Sequence, residues 1–484
     1  MADFKKKGLT PKSENISEWY NDIVVLGDLA DYSDVKGSMI IKPNGYAIWE
    51  KVQNYLDTKF KEGDIQNVYF PMLIPMSLLE KEKDHLEGFS PELAVVTHAG
   101  GEELTEAYAL RPTSETIMYA TFAKWIKSYR DLPLLVNQWA NVVRWEKRTH
   151  PFLRTSEFLW QEGHTVHQTA EEAEDMTLKA LEWYRSFFEE VFAISAYVGV
   201  KSESEKFAGA DRTYTIELVM PDGKALQSAT SHNLGQNFSK VFDIEYLDSN
   251  NEKQNPWQTS WGLSTRSIGG LILVHGDDAG LVIPPRAAPI QVVVIVMEDK
   301  DEAKQIRINE FAQSVIEKLK SAGVRAKLDN AFNESFGSRI NKWELKGVPL
   351  RFEIGGKEVE GGQVKWARRD VVEKGFLEVE KITEEIPKVM EHIQGQMLEK
   401  SKIIKEELTK DAEDFDTYKN ILENDRSLVR VFWCEEAECE KAIKDATKSV
   451  SRCLPIENSN MNEDAKCFHC GKPAKRKWLF GQAY

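Results

Sequence analysis

Four cysteines near the end of the sequence have the spacing of a metal site. They form two short pairs, Cys434-x4-Cys439 and Cys467-x2-Cys470. Four thiolates at such spacing are the ligands of a closed, tetrahedral zinc site, and a closed site stabilises a fold rather than catalysing a reaction. The sequence therefore predicts a structural Zn²⁺. His469 is an alternative ligand in place of one cysteine, and four unrelated buried cysteines are the other alternative.

A second group of residues has the charges needed to bring two anions together. Arg144 and Glu146 follow a predicted strand, Arg154 follows them, and Arg266 comes after a Gly262 turn. When a carboxylate attacks an α-phosphate, an arginine fork binds both anions and stabilises the charge on the phosphoryl oxygens. We expect Arg144 to do this, Arg266 to bind the γ-phosphate, and Glu146 to accept from the adenine amine. The predicted chemistry is activation of an acid by ATP through positioning and charge, without a covalent nucleophile.

The elements around these residues predict one large α+β domain over 1–285. A capping box at Thr169 begins an amphipathic helix, and Asp222-Gly223 is typical of a hairpin turn between two strands. The predicted strands, many of them antiparallel candidates, cover 68–71, 134–145, 158–164, 214–219 and 225–231.

The pattern changes after the prolines at 284, 285 and 289. Strands alternate with helices there, which predicts a small α/β domain with a largely parallel sheet over 286–385. The predicted elements of this domain are strands at 291–297, 324–328 and 350–354 and a helix at 302–321. A charged helix over 384–410 then leads into a small α/β, zinc-binding domain over 386–484.

Composition is that of a globular protein, with 42% hydrophobic and 29% charged residues. The apolar run 291–297 is too short to span a bilayer, and no secretory signal follows the basic start, so we expect no membrane association and a cytoplasmic location. All five cysteines lie at or beyond Cys434, which disfavours a disulfide framework, and the fifth, Cys453, is predicted to be a plain thiol. The net charge of −15 argues against nucleic-acid binding by the whole surface, but the basic stretch 466–484 fits local RNA binding.

Three segments, in order, resemble the signature motifs of class II aminoacyl-tRNA synthetases. The helix 47–60 with the strand ending at Pro71 resembles motif 1, the dimer-forming element. The Arg144-x-Glu146 segment resembles motif 2, and residues 262–266 resemble motif 3. The resemblance implies an antiparallel catalytic sheet, ATP with Mg²⁺, a tRNA partner and a homodimer.

Longer segments resemble the prolyl members of this class, and the resemblance covers essentially the whole chain. It implies attachment of L-proline to tRNA(Pro) in two steps through a prolyl-adenylate, with release of AMP and diphosphate. The segments are FPMLIP (70–75), LRPTSET (110–116), 137–166, QSATSHNLGQNFSKVF (227–242), WGLSTRSIGGL (261–271) and IPPRAAPIQV (283–292).

The same resemblance implies roles for individual residues. A secondary ammonium has two N–H donors, which the Thr113 hydroxyl and the Glu115 carboxylate would accept, while Arg144 binds the proline carboxylate. The proline ring would lie among Phe158, Trp160 and His232. Residues implied to bind ATP are Arg144, Glu146, Arg154, Thr155, Gln227, Thr230, Ser264 and Arg266.

Further implied roles lie outside this set. Glu217 is a weaker candidate ligand for the Mg²⁺ that bridges the phosphates, and Phe89 and Glu92 would belong to a loop that closes over the site. The domain over 286–385 resembles the anticodon-binding domain of class II synthetases. Its candidate contacts to guanines are Glu344, Arg351, Lys357, Arg368 and Arg369.

Alternatives to an active prolyl enzyme make different predictions. A threonyl enzyme would need metal ligands in the catalytic domain, which has no cysteine, and the glycyl enzyme shares the anticodon domain. An inactive RNA-binding paralogue would lack Arg144, Glu146 or Arg266, and all three are present. Residues 167–261 leave no room for the editing domain that some bacterial prolyl enzymes insert, which indicates the archaeal/eukaryotic-like form.

The segment 478–484 has two interpretations. In similar prolyl enzymes this end folds back so that Tyr484 approaches the active site. Alternatively, Trp478 and Phe480 only pack the zinc module.

Overall fold

The computed structural model describes residues 8–81, 93–457 and 461–484, so Phe89 and Glu92 of the predicted closing loop lie outside the described residues. The helices of the first region are α1 (Ile16–Leu26), α2 (Pro43–Glu62), α3 (Met76–Leu79), α4 (Glu115–Trp125), α5 (Ala170–Glu190), α6 (Asn237–Val241) and α7 (Arg266–His275). Its strands are β1 (Ala30–Tyr32), β2 (Met39–Ile41), β3 (Gln66–Asn67), β4 (Leu73–Pro75), β5 (Val95–Ala99), β6 (Glu102–Leu110), β7 (Leu134–Val143), β8 (Glu157–His167), β9 (Tyr197–Val200), β10 (Arg212–Val219), β11 (Ala225–Gly235), β12 (Tyr246–Leu247), β13 (Lys253–Gln254) and β14 (Trp257–Ser264).

An antiparallel sheet in the order β9-β10-β11-β14-β8-β7 forms the centre of this region. One face packs against α2, α5 and α7, because alternate residues of each strand are apolar; on β10 these are Tyr214, Ile216 and Leu218. The other face of β10 carries polar residues and is turned toward a pocket. The predicted hairpin between β10 and β11 is confirmed, and Gly223 in its turn has a φ of 77°.

The second region is a five-stranded sheet covered by helices. Strands β16, β15 and β17 are parallel, but β18 and β19 pair antiparallel, so the prediction of a largely parallel sheet is only partly right. The elements are β15 (Val292–Val296), α8 (Glu302–Ser321), β16 (Ala326–Asp329), α9 (Phe336–Leu345), β17 (Leu350–Ile354), α10 (Gly356–Gly361), β18 (Gln363–Arg368), β19 (Lys374–Glu378) and α11 (Ile382–Glu407). Helix α11 crosses the predicted domain boundary at 385/386.

The last region joins the catalytic sheet instead of standing apart as a separate module, which corrects the sequence prediction. Its elements are β20 (Thr409–Asp411), α12 (Phe415–Asn420), β21 (Leu428–Trp433), α13 (Ala437–Thr447), β22 (Val450–Pro455) and β23 (Arg476–Gly481). Strand β22 pairs with β9, so one eleven-stranded sheet runs through both regions in the order β20-β21-β23-β22-β9-β10-β11-β14-β8-β7-β3. We call residues 409–484 the C-terminal module.

One predicted strand is wrong. Residues 68–71 are not a strand; the strand is β3, two residues long, which runs parallel to β7. The chain leaves the sheet at Phe70, because the amide of Phe70 donates to the side chain of Gln138 rather than to a neighbouring backbone. None of the helices in the described ranges has the length and apolar character needed to cross a membrane.

Candidate active site

A cavity of about 320 Å³ lies on the polar face of the antiparallel sheet. It brings together ten of the residues predicted from the sequence: Thr113, Glu115, Arg144, Phe158, Trp160, Gln227, Thr230, His232, Ser264 and Arg266. Glu146, Arg154 and Thr155 do not line the cavity and lie in the motif-2 segment beside it. Most lining residues are on strands β8, β10, β11 and β14, whose pleat directs every second side chain toward the cavity.

One end of the cavity has a hydroxyl–carboxylate pair and an aromatic wall. The Thr113 hydroxyl donates to Glu115, and both residues are buried. The rings of Phe158 and Trp160 are perpendicular, with centroids 6.1 Å apart. The Arg144 guanidinium lies 5.6 Å from each ring centroid, and its Nε donates to the carbonyl of Pro112 at 3.0 Å. This end suits a small apolar ring that carries an ammonium and a carboxylate.

His232 completes this end as an uncharged wall. The Nδ1 atom of His232 is 2.9 Å from the Thr213 hydroxyl, and its ring lies 4.6 Å from that of Phe207. Burial lowers the pKa of His232 to about 4, so the imidazole is neutral near pH 7.

Two residues that the sequence analysis did not predict, Glu162 and His164, also line the same end of the cavity. Glu162 accepts from Ser114 and Gln138 at 2.5 and 2.8 Å, and its other oxygen is 3.1 Å from His164 Nε2. Burial opposes protonation of His164, but the hydrogen bond to Glu162 and nearby carboxylate charges raise its pKa overall. Glu162 and His164 follow Trp160 at intervals of two on β8, so strand alternation was the signal for them.

The other end of the cavity is positively charged. Arg266 Nε donates to the Leu153 carbonyl at 2.9 Å, and its Nη1 donates to the Gln227 carbonyl at 3.4 Å. Burial, followed by the charges of Arg144 and Arg154, lowers the pKa of Arg266 to about 10, so it stays protonated at pH 7. Three arginines that repel one another form a binding site for a polyanion.

Arg154 and Glu146 contact each other in this structure. Arg154 Nε donates to Glu146 Oε2 at 2.6 Å, and the Arg154 side chain is 53% exposed. Thr155 is buried, and its hydroxyl donates to the Glu157 carbonyl at 2.8 Å. The motif-2 segment therefore carries an exposed Arg154 beside the positive end.

Glu217 does not fit the role of a Mg²⁺ ligand. Its carboxylate is fully buried, and it accepts from Lys201 and Thr215 on one oxygen and from Arg452 on the other. Because both oxygens are occupied by protein donors, this candidate is wrong.

Two anticodon candidates are engaged inside the protein, which contradicts their predicted contact with guanines. Arg368 donates to Asp370, Glu373 and Gln396, and its side chain is 4% exposed. Arg369 donates from both terminal nitrogens to Asp277 of the catalytic region, at 2.5 and 2.7 Å.

Of the other three anticodon candidates, Arg351 and Glu344 are paired with each other, and Arg351 Nε also donates to Glu353 at 2.9 Å. Arg351 Nη1 is 3.1 Å from Glu344 Oε1, and both residues are half-buried. Lys357 is exposed on α10.

The four paired cysteines meet in the C-terminal module. Their Sγ atoms all lie within 4.8 Å of one another; the four residues are Cys434, Cys439, Cys467 and Cys470. The Cys439–Cys467 and Cys434–Cys470 sulfurs are 3.8 and 3.6 Å apart, and four Zn–S bonds of about 2.3 Å in a tetrahedron require about 3.8 Å. The residues present therefore fit a Zn²⁺ ion.

Cys453 lies apart from this cluster. It is fully buried on β22 between the C-terminal module and the catalytic sheet, and burial raises its pKa to about 12. This agrees with a plain thiol.

The end of the chain packs inside the C-terminal module and also contacts the catalytic sheet, and a role of Tyr484 at the active site stays a prediction. Trp478 and Phe480 pack in the core of the C-terminal module. Beyond them, the Tyr484 amide donates to the Ala225 carbonyl at 3.1 Å, and its hydroxyl donates to Asp222 at 3.0 Å. Ala225 begins β11, two residues before Gln227 of the cavity, so Tyr484 lies against the catalytic sheet.

Known families match three parts of the chain. Residues 96–275 match the tRNA synthetase class II core domain (G, H, P, S and T), residues 291–389 match the anticodon binding domain, and residues 415–484 match the C-terminal region of prolyl-tRNA synthetase.

Similar proteins cover the chain from end to end. Proline--tRNA ligase 2 of Clostridioides difficile is 49% identical over 476 residues, which are 98% of each chain. Proline--tRNA ligase of Natranaerobius thermophilus is 48% identical over 480 residues, 99% of this chain and 98% of the relative.

Two solved structures have the same fold. The prolyl-tRNA synthetase of Cryptosporidium parvum with halofuginone and AMPPNP matches with a TM-score of 0.95 and 44% identity, over 98% of this chain and 99% of that one. The same organism's enzyme with L-proline and AMP matches with a TM-score of 0.93 and 42% identity, over 98% and 96%.

Proposed function

This chain belongs to the prolyl-tRNA synthetase family, an ATP-dependent ligase that joins L-proline to tRNA(Pro), and we propose that the cavity described above is where proline is activated. The observation that carries the proposal is the cavity itself, which combines the Thr113–Glu115 pair and an aromatic wall at one end with Arg266 at the other and Arg144 between them, while Arg154 lies beside the cavity. A prolyl-adenylate needs both kinds of group within one site.

In this proposal the end with the Thr113–Glu115 pair and the aromatic wall binds the amino acid. Thr113 and Glu115 accept the two ammonium N–H groups, and the ring lies against Phe158, Trp160 and His232. Because His232 is neutral, it adds no positive charge next to the ammonium. The support is the burial and mutual bonding of these groups, which fix their positions before a ligand arrives.

Arg144 connects the two ends. Its fork faces the proline carboxylate on one side and the α-phosphate on the other, so it reduces the repulsion between them as the P–O bond forms and diphosphate leaves. Arg266 binds the γ-phosphate, Ser264, Gln227 and Thr230 contact the rest of the nucleotide, and Glu146, Arg154 and Thr155 bind near its base and phosphates. Mg²⁺ accompanies ATP and neutralises part of its charge.

The test is ATP–diphosphate exchange with each of the twenty amino acids. We expect exchange to depend on proline, with weak exchange for alanine and cysteine. Exchange that depends on threonine or glycine instead would contradict the assignment.

We propose that the four-cysteine cluster holds a structural Zn²⁺. The sulfur–sulfur distances support this. Elemental analysis should give one zinc per chain, lost in the Cys434→Ser/Cys470→Ser variant and retained in the control Cys453→Ser. Because β22 pairs with β9, we expect loss of zinc to lower the melting temperature of the whole protein. A zinc-free native protein with a protease-resistant C-terminal module would contradict the site.

We propose that tRNA(Pro) binds through the domain around β15–β19, with Glu344, Arg351 and Lys357 near the anticodon. The exposed Lys357 supports this. Lys357→Ala should weaken tRNA binding and leave proline-dependent exchange, which needs no tRNA, unchanged.

A homodimer is proposed from an exposed apolar surface next to α2 and β4. Tyr69, Leu73, Val95 and Trp125 are 71%, 41%, 45% and 49% exposed there. Sedimentation should show a dimer for the unaltered protein and a monomer for the Tyr69→Lys/Trp125→Glu variant. The control Phe376→Lys, at an exposed position on β19, should remain a dimer.

A cytoplasmic location is proposed because reduced thiols at the zinc site need a reducing compartment.

A further inference from the structure

The C-terminal module meets the catalytic sheet at a cluster of buried charges that none of the roles above uses. The side chains of Lys201, Glu217 and Arg452 are 2%, 0% and 5% exposed. Arg452 donates from Nε and Nη2 to one oxygen of Glu217 at 3.1 and 2.7 Å. Lys201 donates to the other oxygen at 3.2 Å and to the Arg452 carbonyl at 3.0 Å. Arg452 lies on β22, whereas Glu217 lies on β10 of the catalytic sheet.

Stability alone is a weak reason for such a cluster. Buried ion pairs often add no more to the free energy of unfolding than apolar residues of the same shape, because the charges lose their hydration. A cluster that fixes the position of a charge near a binding site has a second effect, because the fixed charge acts on the residues of that site.

Glu217 lies on the pocket face of β10. On that face Thr213 contacts His232, and the Thr215 hydroxyl donates to Glu217 at 2.9 Å. In the strand register Glu217 pairs with Gln227 of β11, so the two side chains are neighbours on one face. Gln227 lines the positive end of the cavity, and its carbonyl accepts from Arg266.

Glu217 also acts on Arg266 through its charge. Burial alone would raise the pKa of Glu217, but the charges of Arg452 and Lys201 lower it overall, so the carboxylate is ionised. Its negative charge partly offsets the repulsion that Arg266 receives from Arg144 and Arg154.

We propose that Arg452 is a positioning residue for the ATP end of the cavity. It fixes the Glu217 carboxylate with two bonds from one planar group, and Glu217 in turn lies opposite Gln227 in the strand register and balances the charge of Arg266. Lys201 alone cannot replace this fork, because an ammonium is a point charge that binds without a fixed plane. The inference rests on the function proposed above, and it makes the C-terminal module part of the nucleotide site.

The variant that tests this is Arg452→Met. It leaves Glu217 and Lys201 as a neutral pair, so no unpaired charge stays buried. We expect the KM for ATP in proline-dependent exchange to rise about tenfold and the KM for proline to change less than about twofold. Arg452→Lys, which keeps the charge without the fork, should give an intermediate KM for ATP and serves if the methionine variant folds poorly.

A control at the same boundary separates positioning from simple attachment of the module. Glu440 of α13 is buried and accepts from Ser202 at 3.0 Å and from the Ser451 amide at 3.2 Å. Glu440→Gln should lower the melting temperature and leave the KM for ATP unchanged. An unchanged KM for ATP in Arg452→Met, or an equal rise in Glu440→Gln, would overturn the proposal.

Calorimetric affinity for a non-hydrolysable ATP analogue is measured on the same proteins. If the unaltered protein exchanges with no amino acid, the proposed function fails, and the analogue's affinity still decides the role of Arg452. A weaker affinity in Arg452→Met with normal affinity in Glu440→Gln supports the role, and equal affinities refute it.

Discussion

The two ends of the cavity are built in different ways. At the proline end the hydroxyl, carboxylate and imidazole groups already have protein partners, as Thr113 has Glu115 and His232 has Thr213, and these residues are buried. At the ATP end Arg266 has two arginines as neighbours, and Arg154 is 53% exposed. The fold fixes the polar groups of the first end by itself, whereas the arginines of the second end repel one another and are only partly balanced by Glu146 and Glu217, which favours a bound polyanion.

The difference between the proline end and the ATP end separates the source of selectivity from the source of binding energy. The proline end, whose groups are fixed by the protein, discriminates by shape and by the number of hydrogen bonds that a ligand can make. A charged end gives strong, less shape-dependent attraction to phosphates, and it depends on the surroundings that keep its cations in place.

Arg144→Ala gives the largest expected effect, because Arg144 serves both ends. We expect kcat/KM for proline-dependent exchange to fall by about 10³-fold or more. The control Arg130→Ala removes an exposed arginine whose guanidinium lies 5.0 Å from the Tyr129 ring, far from either role, and should be active. Near-normal exchange by a folded Arg144→Ala protein would contradict the assignment of motif 2.

Replacing the amino acid tests the proline end by itself. Alanine lacks ring methylenes worth roughly 1–3 kcal/mol each, so its kcat/KM should be roughly 10²- to 10³-fold below that of proline. The segment between β8 and β14 consists of α5, α6 and the strands β9–β13, with no additional domain. We therefore expect the protein to form Ala-tRNA(Pro) and not to deacylate it. Rapid hydrolysis of preformed Ala-tRNA(Pro) would refute this.

Thr113→Ala removes one acceptor for the proline ammonium. The KM for proline should rise about tenfold, the cost of about one hydrogen bond to a charged group, with the KM for ATP unchanged. Thr116→Ala is the matched control, because Thr116 is a buried threonine three residues away, in the first turn of α4, and its hydroxyl has no hydrogen-bond partner among the described residues. A rise in the KM for ATP instead would mean that the roles of the two ends are exchanged.

The smallest effect concerns His232 and pH. Its pKa is about 4 in the folded protein, below the usual value near 6.5, so the unfolded chain binds more protons between those values. His232 should therefore lower the free energy of unfolding by about 1–2 kcal/mol as pH falls from 7 to 5, with its full contribution present above pH 6.5. Denaturant titrations at both pH values should show a smaller loss in His232→Gln. An identical loss would mean that His232 is not buried and neutral.

Motif order and the resemblance to the prolyl enzymes predicted much of the catalytic site, and ten of the residues that they implied line the cavity. Glu162 and His164 were missed: strand alternation places them on the same face as Trp160, but the sequence does not show which partners a polar residue on a buried strand has. Charge alone was a poor guide at Arg368 and Arg369, where the partners are protein carboxylates rather than RNA.

Pairing between distant segments could not be predicted from the sequence. Glu217 and Arg452 are separated by 235 positions, and neither has a local pattern that names the other. The same holds for β9 and β22, so the C-terminal module was predicted as a separate domain although it extends the catalytic sheet.

The pairing of β22 with β9 has a consequence for the synthesis of the protein. Leu454 and Pro455 pair with Val200 and Gly199, yet they leave the ribosome well after residue 285 has been made. At about 5–20 residues per second, roughly 10–30 s pass during which the edge of β9 has no partner strand. An open edge of this kind can pair with other nascent chains, so a transcript truncated before residue 450 should yield a product that aggregates.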